Sequence, residues 1–223
     1  MNNIRPQLPK IAVFASGFGS NFQAIIDAIK NGSLMAEIVC LVTDKPESYS
    51  VQRAIKEGID IIAFSAKNYA SKADYEKMIA AQLMAKGVEL IVLAGYMRII
   101  GNTLLSIFPR KIINIHPALL PAFPGAHGIK DAFDYGVKVF GVTIHYVDSG
   151  IDTGEIIDQA SFHINGTETI DEVEAQIHAI EHKLYPATIQ KLLENHSRFW
   201  FSIHPIDSPK NPRAQCLLRN SSL

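Results

Sequence analysis

The chain is poor in the features that would set it apart from ordinary globular proteins. It has two cysteines, Cys40 and Cys216, in 223 residues. They show no metal-like spacing and cannot build a disulfide scaffold, which points to a reducing cytoplasm. Cys40 stands inside the apolar run Ile38-Val39-Cys40-Leu41-Val42 and reads as core. Charge of one sign is lacking too: 21 Lys and Arg stand against 22 Asp and Glu, with no block of like charges. Nucleic acid and an anionic membrane are therefore excluded as main partners, while a phosphorylated small molecule held by local donors is not. No apolar run approaches the ~18 residues of a membrane span. The opening MNNIRPQLPK lacks the apolar stretch of a signal peptide. There is no internal repeat, no Gly-x-Ser-x-Gly nucleophile elbow, and neither cysteine has a nucleophile-like setting.

Short apolar runs are plentiful. Ile11–Ala15, Ile38–Val42, Ile61–Phe64, Leu90–Ala94 and Ile112–Ile115 are apolar at nearly every position, as strands buried on both faces require. Helical spacing lies between them. Phe22, Ile25, Ile26 and Ile29 share one face, with Ser20 and Gln23 as a possible capping box and Gly32 as a stop. Tyr75, Met78, Ile79 and Leu83 repeat the spacing up to Gly87. Strand–helix repetition of this kind predicts an α/β fold with a doubly wound, mostly parallel sheet. Two later stretches, KVFGVTIHYVD and EIIDQASFHI, alternate and read as added C-terminal strands. Thr169 with Glu172 opens a long C-terminal helix whose face carries Ile170, Val173, Ile177, Ile180 and Leu184, and which Pro186 is expected to kink or split. The tail from Ser208 shows little pattern and is expected to be partly mobile.

Between the first strand and first helix lies ASGFGSN, Ala15 to Asn21. Backbone N–H groups at a helix N-terminus form a site for phosphate, and the Ser20 and Asn21 side chains could add donors. The Gly-Lys-Ser/Thr ending of a triphosphate loop is missing, and Phe22 stands where a dinucleotide fingerprint needs glycine. The alternatives are a monophosphate cradle and an ordinary strand–helix turn with Ser20 as cap. Farther on, INIHPALLP ends a strand, and Asn114 and His116, two apart, point to the same side of it. Ligands gather at such carboxyl ends in open α/β sheets. HYVDSGIDTG then supplies Asp148 and Asp152 in a glycine-containing loop. A carboxylate beside His116 would favour its imidazolium form. A cationic histidine beside an asparagine amide suits a developing oxyanion and addition to a carbonyl without a covalent enzyme intermediate. A structural His116 is the competing reading. His145 reads as a core or supporting residue, and His127 as a loop ligand or surface residue. HAIEH, His178 to His182, fits an inverted zinc-peptidase pattern, yet no convincing third ligand follows, so no metal is expected.

Taken together and in order, SGFGSN, VLAGYMRI, INIHPALLP with FPG, GVTIHYVDSGIDTG and EHKLYP resemble the phosphoribosylglycinamide formyltransferases, from about Lys10 to Glu194. The resemblance implies a Rossmann-like single formyltransferase domain over residues 8–196 and a tail over 197–223. It implies transfer of a formyl group from 10-formyltetrahydrofolate, as co-substrate, to the amino group of glycinamide ribonucleotide, in purine biosynthesis. Gly19, Ser20, Asn21 and Glu181 match ribonucleotide-binding positions. Met97, Arg98, Ile99 and Ile100 match the folate segment, and Asp148 to Asp152 the pterin loop. Asn114, His116 and Asp152 match the catalytic trio. His178 falls at a variable position near the phosphate, and Lys72 where some relatives carry arginine near the folate. Asp152-Thr153-Gly154 departs from the Asp-Gly-Gly of many relatives. The alternative within the wider group is a formyltetrahydrofolate deformylase, a hydrolase that usually carries an extra N-terminal domain; a first strand by residue 11 argues against it. The implied partners are small molecules, and monomer and homodimer both stay open.

Overall fold

The five near-continuous apolar runs become parallel strands: β1 (Lys10–Phe14), β2 (Glu37–Thr43), β3 (Ile61–Ala63), β4 (Leu90–Leu93) and β5 (Ile112–His116). The alternating stretches add β6 (Val139–Tyr146) and β7 (Ile156–His163), both antiparallel. In this computed structural model, which describes residues 8–203 and side chains through residue 195, the strand order is β3-β2-β1-β4-β5-β6-β7. The helices are α1 (Ser20–Lys30), α2 (Tyr49–Glu57), α3 (Lys72–Lys86), α4 (Asn102–Ile107), α5 (Gly128–Tyr135) and α6 (Ile170–Ile203). Among the described residues no helix is long and apolar enough to cross a membrane.

β1 explains why its sequence lacks polar relief. Ile11 and Val13 face a core shared with Phe22 and Ile25 of α1 and Val173, Ile177 and Tyr185 of α6. Ala12 and Phe14 face the opposite layer, with Tyr75, Ile79 and Leu83 of α3 and Leu104 of α4. Period-two alternation puts both sets inside, because helices cover both faces of the sheet. The chain leaves β1 toward β2 on one side and later returns to β4 on the other. This reversal opens a crevice at the carboxyl ends of β1 and β4, the usual ligand position in such sheets.

The structure corrects three local readings. Ser20 does not cap α1: Gly19 is the N-cap, left-handed at φ 72°, and Ser20 is the first helical residue. The Gln23 side chain accordingly turns to Asp27 and Arg53 instead of back to the cap. Pro186 lies inside α6 without dividing it. Tyr185, Thr188 and Ile189 are buried on either side of it, and that packing outweighs a local cost of ~3 kcal/mol. Helices α2, α4 and α5, short at 9, 6 and 8 residues, were not anticipated from the spacing. The Thr169–Glu172 capping box does form, with Thr169 N donating to Glu172 Oε2 at 2.8 Å and Glu172 N to Thr169 Oγ1 at 3.3 Å. The α6 backbone continues past residue 196 to Ile203. The expected mobility from Ser208, and Cys216, lie outside the described residues.

Candidate active site

The carboxyl ends of β1, β2 and β4 are tied together by a carboxylate. Asp44, just past β2, accepts from Ser16 Oγ at 2.6 Å and from Arg98 Nε at 2.8 Å. Ser16 Oγ in turn accepts from Met97 N at 3.1 Å. This network joins the glycine-rich turn to the Met97–Ile100 segment. Arg98 lines the cavity described below, but its Nε is committed to Asp44. The spacing carried no hint of Asp44 beyond its place after an apolar run.

The turn bends through Gly19, which is buried and left-handed. A Cβ there would come within 3.0 Å of Ser50 Cβ, so both conformation and space call for glycine. Asn21 is 9% exposed, and its Nδ2 donates to Glu181 Oε2 at 3.0 Å. That commitment leaves Asn21 Oδ1 buried without a partner. With Nδ2 already given to Glu181, the side-chain donor that the sequence suggested is in use, and the backbone N–H of Asn21 at the start of α1 is what a ligand could meet. Glu181, 4% exposed, also accepts from His178 Nδ1 at 3.0 Å. This bond to Glu181 holds the His178 imidazole above its ordinary pKa, with burial opposing. Burial pushes His182 the other way, and its Nε2 is buried without a partner. The two rings lie nearly parallel at 6.3 Å, and among the described residues no group of metal-ligating side chains is assembled.

Three of the sequence-predicted site residues converge at the end of β5. His116 Nδ1 lies 3.4 Å from Asp152 Oδ2, and its Nε2 donates to Phe123 O at 2.8 Å. Asn114 Nδ2 donates to Asp152 Oδ1 at 3.4 Å and approaches His145 Nε2 at 3.2 Å. His145 Nδ1 donates to Tyr146 O at 2.8 Å, and its Nε2 also lies 3.4 Å from Asp152 Oδ1. Antiparallel pairing of β5 with β6 sets Asn114 directly opposite His145. His145, 2% exposed, is thus a supporting member of the cluster. Asp152 is left-handed at φ 53°, a conformation that costs a non-glycine residue ~1–2 kcal/mol. Its carboxylate also accepts from Gly125 N at 2.8 Å, so partners on several segments hold that geometry.

The pterin-loop candidates are closed by their own side chains. Asp148 Oδ1 accepts from Gly150 N at 3.0 Å and from Thr153 Oγ1 at 2.8 Å. Thr153 therefore adds a tether that a glycine at that position would lack. Gly154 cannot be replaced in the same way, because a Cβ there would sit 1.7 Å from Tyr146 O. His127 is exposed at the start of α5 and stands apart from the cluster. The Lys72 side chain packs beside Gly101, just past Ile100.

One cavity of about 760 Å³ brings the site residues together, while Ser16, Asp44, Lys72, His127 and Thr153 stand outside its wall. Its wall includes Gly17–Asn21, Met97–Ile100, Asn114, His116, His145, Asp148, Asp152, His178 and Glu181. The volume suits one extended small ligand or two adjacent ones. A glycine-containing turn at a helix N-terminus on one side and an amide–imidazole–carboxylate cluster in the same wall have the chemistry to bind an anionic group and to stabilise charge on a carbonyl oxygen.

Comparison with known proteins places the fold and the sequence in a family. The family described as formyl transferase matches residues 9–189. A phosphoribosylglycinamide formyltransferase of Bacillus subtilis is 50% identical over 191 residues, spanning 86% of this chain and 98% of that protein. The crystal structure of phosphoribosylglycinamide formyltransferase from Bacillus halodurans superposes with a TM-score of 0.82 at 47% identity, covering 86% of this chain and 99% of that one. Glycinamide ribonucleotide transformylase 1 from Geobacillus kaustophilus gives a TM-score of 0.82 at 49% identity, covering 84% and 100%. With residues 9–189 matched by the family and 98% of the Bacillus subtilis relative covered at 50% identity, the chain belongs to the formyl transferase family.

Proposed function

We propose that this protein transfers the formyl group of 10-formyltetrahydrofolate to the amino group of glycinamide ribonucleotide, in purine biosynthesis. The observation that carries the reading is the single cavity whose wall holds both the Gly17–Asn21 turn and the Asn114–His116–Asp152 cluster. Relatives that bear the formyltransferase name over nearly their whole length support it. We place the reaction in the cytoplasm, which a buried, free Cys40 suits.

In this reading Gly19, Ser20 and Asn21 hold the ribonucleotide phosphate, and Glu181 meets the rest of that substrate. Met97–Ile100 and the Asp148–Asp152 loop hold the folate. The substrate amine attacks the formyl carbon, and the carbonyl oxygen becomes an oxyanion. Asn114 and His116 are its donors. For His116 to act, its Nε2–H exchanges Phe123 O for the substrate oxygen, while Asp152 stays on the opposite ring nitrogen. Asp152 then relays the proton lost by the amine toward the folate nitrogen as the carbon–nitrogen bond to the folate breaks. Holding both substrates in one cavity supplies much of the rate through proximity. No step calls for a metal.

The test is formyl transfer by the purified chain, with 10-formyltetrahydrofolate supplied with and without glycinamide ribonucleotide. Tetrahydrofolate release only in the presence of the ribonucleotide is expected. Equal release in its absence would make the protein a hydrolase and overturn the reading.

A further inference from the structure

The turn presents an exposed phenylalanine, Phe18, between its two glycines, 65% exposed on the rim of the cavity. Its ring is stacked on Tyr49 of α2, with centroids 4.9 Å apart and planes within 6°. The Arg53 guanidinium lies 4.7 Å from the centroid of each ring. From the same place Arg53 Nε donates to Phe18 O at 3.0 Å and Nη1 to Gln23 Oε1 at 2.7 Å. One turn earlier in α2, fully buried Ser50 donates its backbone N–H to Gly17 O at 3.1 Å.

We propose that Arg53 is a positioning residue that aims the backbone N–H groups of the turn into the cavity; the inference rests on the turn being the phosphate site. The reason is peptide geometry. In a trans peptide the carbonyl and the following N–H point in opposite directions. The turn peptides are trans. With Gly17 O drawn to Ser50 and Phe18 O drawn to Arg53, the N–H groups of Phe18 and Gly19 are turned away from α2. Arg53 borders the outer side of the turn and takes no part in the cavity wall. It therefore acts through the peptide it grips, and the aromatic pair keeps its guanidinium in plane with that grip. Lysine can carry the same charge, but it has no fork with which to reach both Phe18 O and Gln23 Oε1.

The experiment measures KM for glycinamide ribonucleotide, KM for 10-formyltetrahydrofolate and kcat in the full chain. Variants are Arg53→Met, Arg53→Lys and Tyr49→Leu, with Ser20→Ala as the control for the turn itself. Arg53→Met is expected to raise the ribonucleotide KM about tenfold, leaving the folate KM and kcat within about twofold. Arg53→Lys should fall with Arg53→Met, because charge is kept and the fork is lost. Tyr49→Leu, exposed and one contact farther out, should raise the same KM by about twofold; it carries the test if the Arg53 variants fail to fold. An unchanged ribonucleotide KM, equal rises in both KM values, or full recovery by lysine would overturn the proposal. If Ser20→Ala raises the ribonucleotide KM while the Arg53 and Tyr49 variants do not, only the positioning role falls. If Ser20→Ala has no effect either, the phosphate site itself is misplaced.

Discussion

At the phosphate side of the cavity nearly every proposed contact belongs to one stretch, Gly17–Asn21, whereas at the reacting side Asn114, Gly125, His145 and Asp152 come from separate segments. The first is shaped by backbone and braced from behind by α2. The second is shaped by side chains that hold one another, with a left-handed aspartate at the centre. A backbone site loses affinity by degrees when one side chain is trimmed. A side-chain cluster that must stabilise charge in the transition state loses turnover abruptly. The contrast assigns kcat to one side and KM to the other, and it can be broken by any variant that moves the wrong constant.

The largest effect is expected at Asp152. Asparagine tolerates the left-handed conformation as aspartate does, so Asp152→Asn keeps the loop geometry and removes the charge. Turnover should fall by about two or more orders of magnitude, with both KM values little changed, because the lost interactions matter most in the transition state. Steady-state kinetics decide it. Near-normal kcat would remove Asp152 from the chemistry.

Next comes Ser20, on the other side of the comparison. Ser20→Ala removes one hydroxyl from the turn proposed to hold the phosphate and should raise the ribonucleotide dissociation constant by about tenfold. Folate affinity should stay as it is. Separate calorimetric titrations of the two ligands check this, and equal losses would mean that the two sides of the cavity are not independent.

These two residues also show what the linear sequence could carry. The strands of the parallel sheet were legible because burial on both faces leaves almost no polar positions in them, as in β1. Asn114 and His116 were legible because a two-residue spacing at a strand end has one geometric meaning. His145 reads in the sequence as either core or supporting, and only the antiparallel register, which sets it opposite Asn114, decides for the second. The Ser20–Gln23 capping box failed because Gly19 takes the cap position, and nothing in the residue spacing distinguishes a left-handed glycine cap from a serine one. Helix α2 was missed for a related reason. It is only nine residues long and buries only Ser50 and Ala54, so few apolar positions mark it, yet it braces the turn. The support of a site is written in contacts between segments, and those contacts follow from topology more than from local pattern.

A pH profile sharpens the comparison further. His178 lines the cavity beside Glu181, which raises its pKa above the ordinary value of 6.5. Its cationic form is favoured in the folded protein. The contribution to stability is therefore complete below the unfolded-state value and is lost as pH rises through the folded-state one. Glu181 and Glu174 draw the charge in, while neighbouring His182 is held neutral by burial. The ribonucleotide KM should climb by a few-fold, about threefold, as pH rises from 6.5 into the raised range, then level off. In His178→Gln the climb should vanish. A climb that survives the substitution would place the titrating group elsewhere.

An effect of similar small size is expected at Thr153, and it tests whether the loop proposed to hold the folate follows the turn or the trio in its design. Thr153→Val keeps the branched shape and removes the hydroxyl that donates to Asp148 Oδ1 at 2.8 Å. Gly150 N still donates to the same oxygen, so the loop keeps one of its two internal ties. The loop is exposed at Thr153, and an exposed hydrogen bond contributes ~0.5–1 kcal/mol. The expected result is a rise of about two- to fourfold in the folate KM, with kcat and the ribonucleotide KM unchanged. Thermal unfolding should move by no more than about 2 °C. A fall in kcat instead would show that the tether reaches through one peptide to Asp152. The folate loop would then belong with the side-chain cluster, where a small loosening is felt in the chemistry and not in binding.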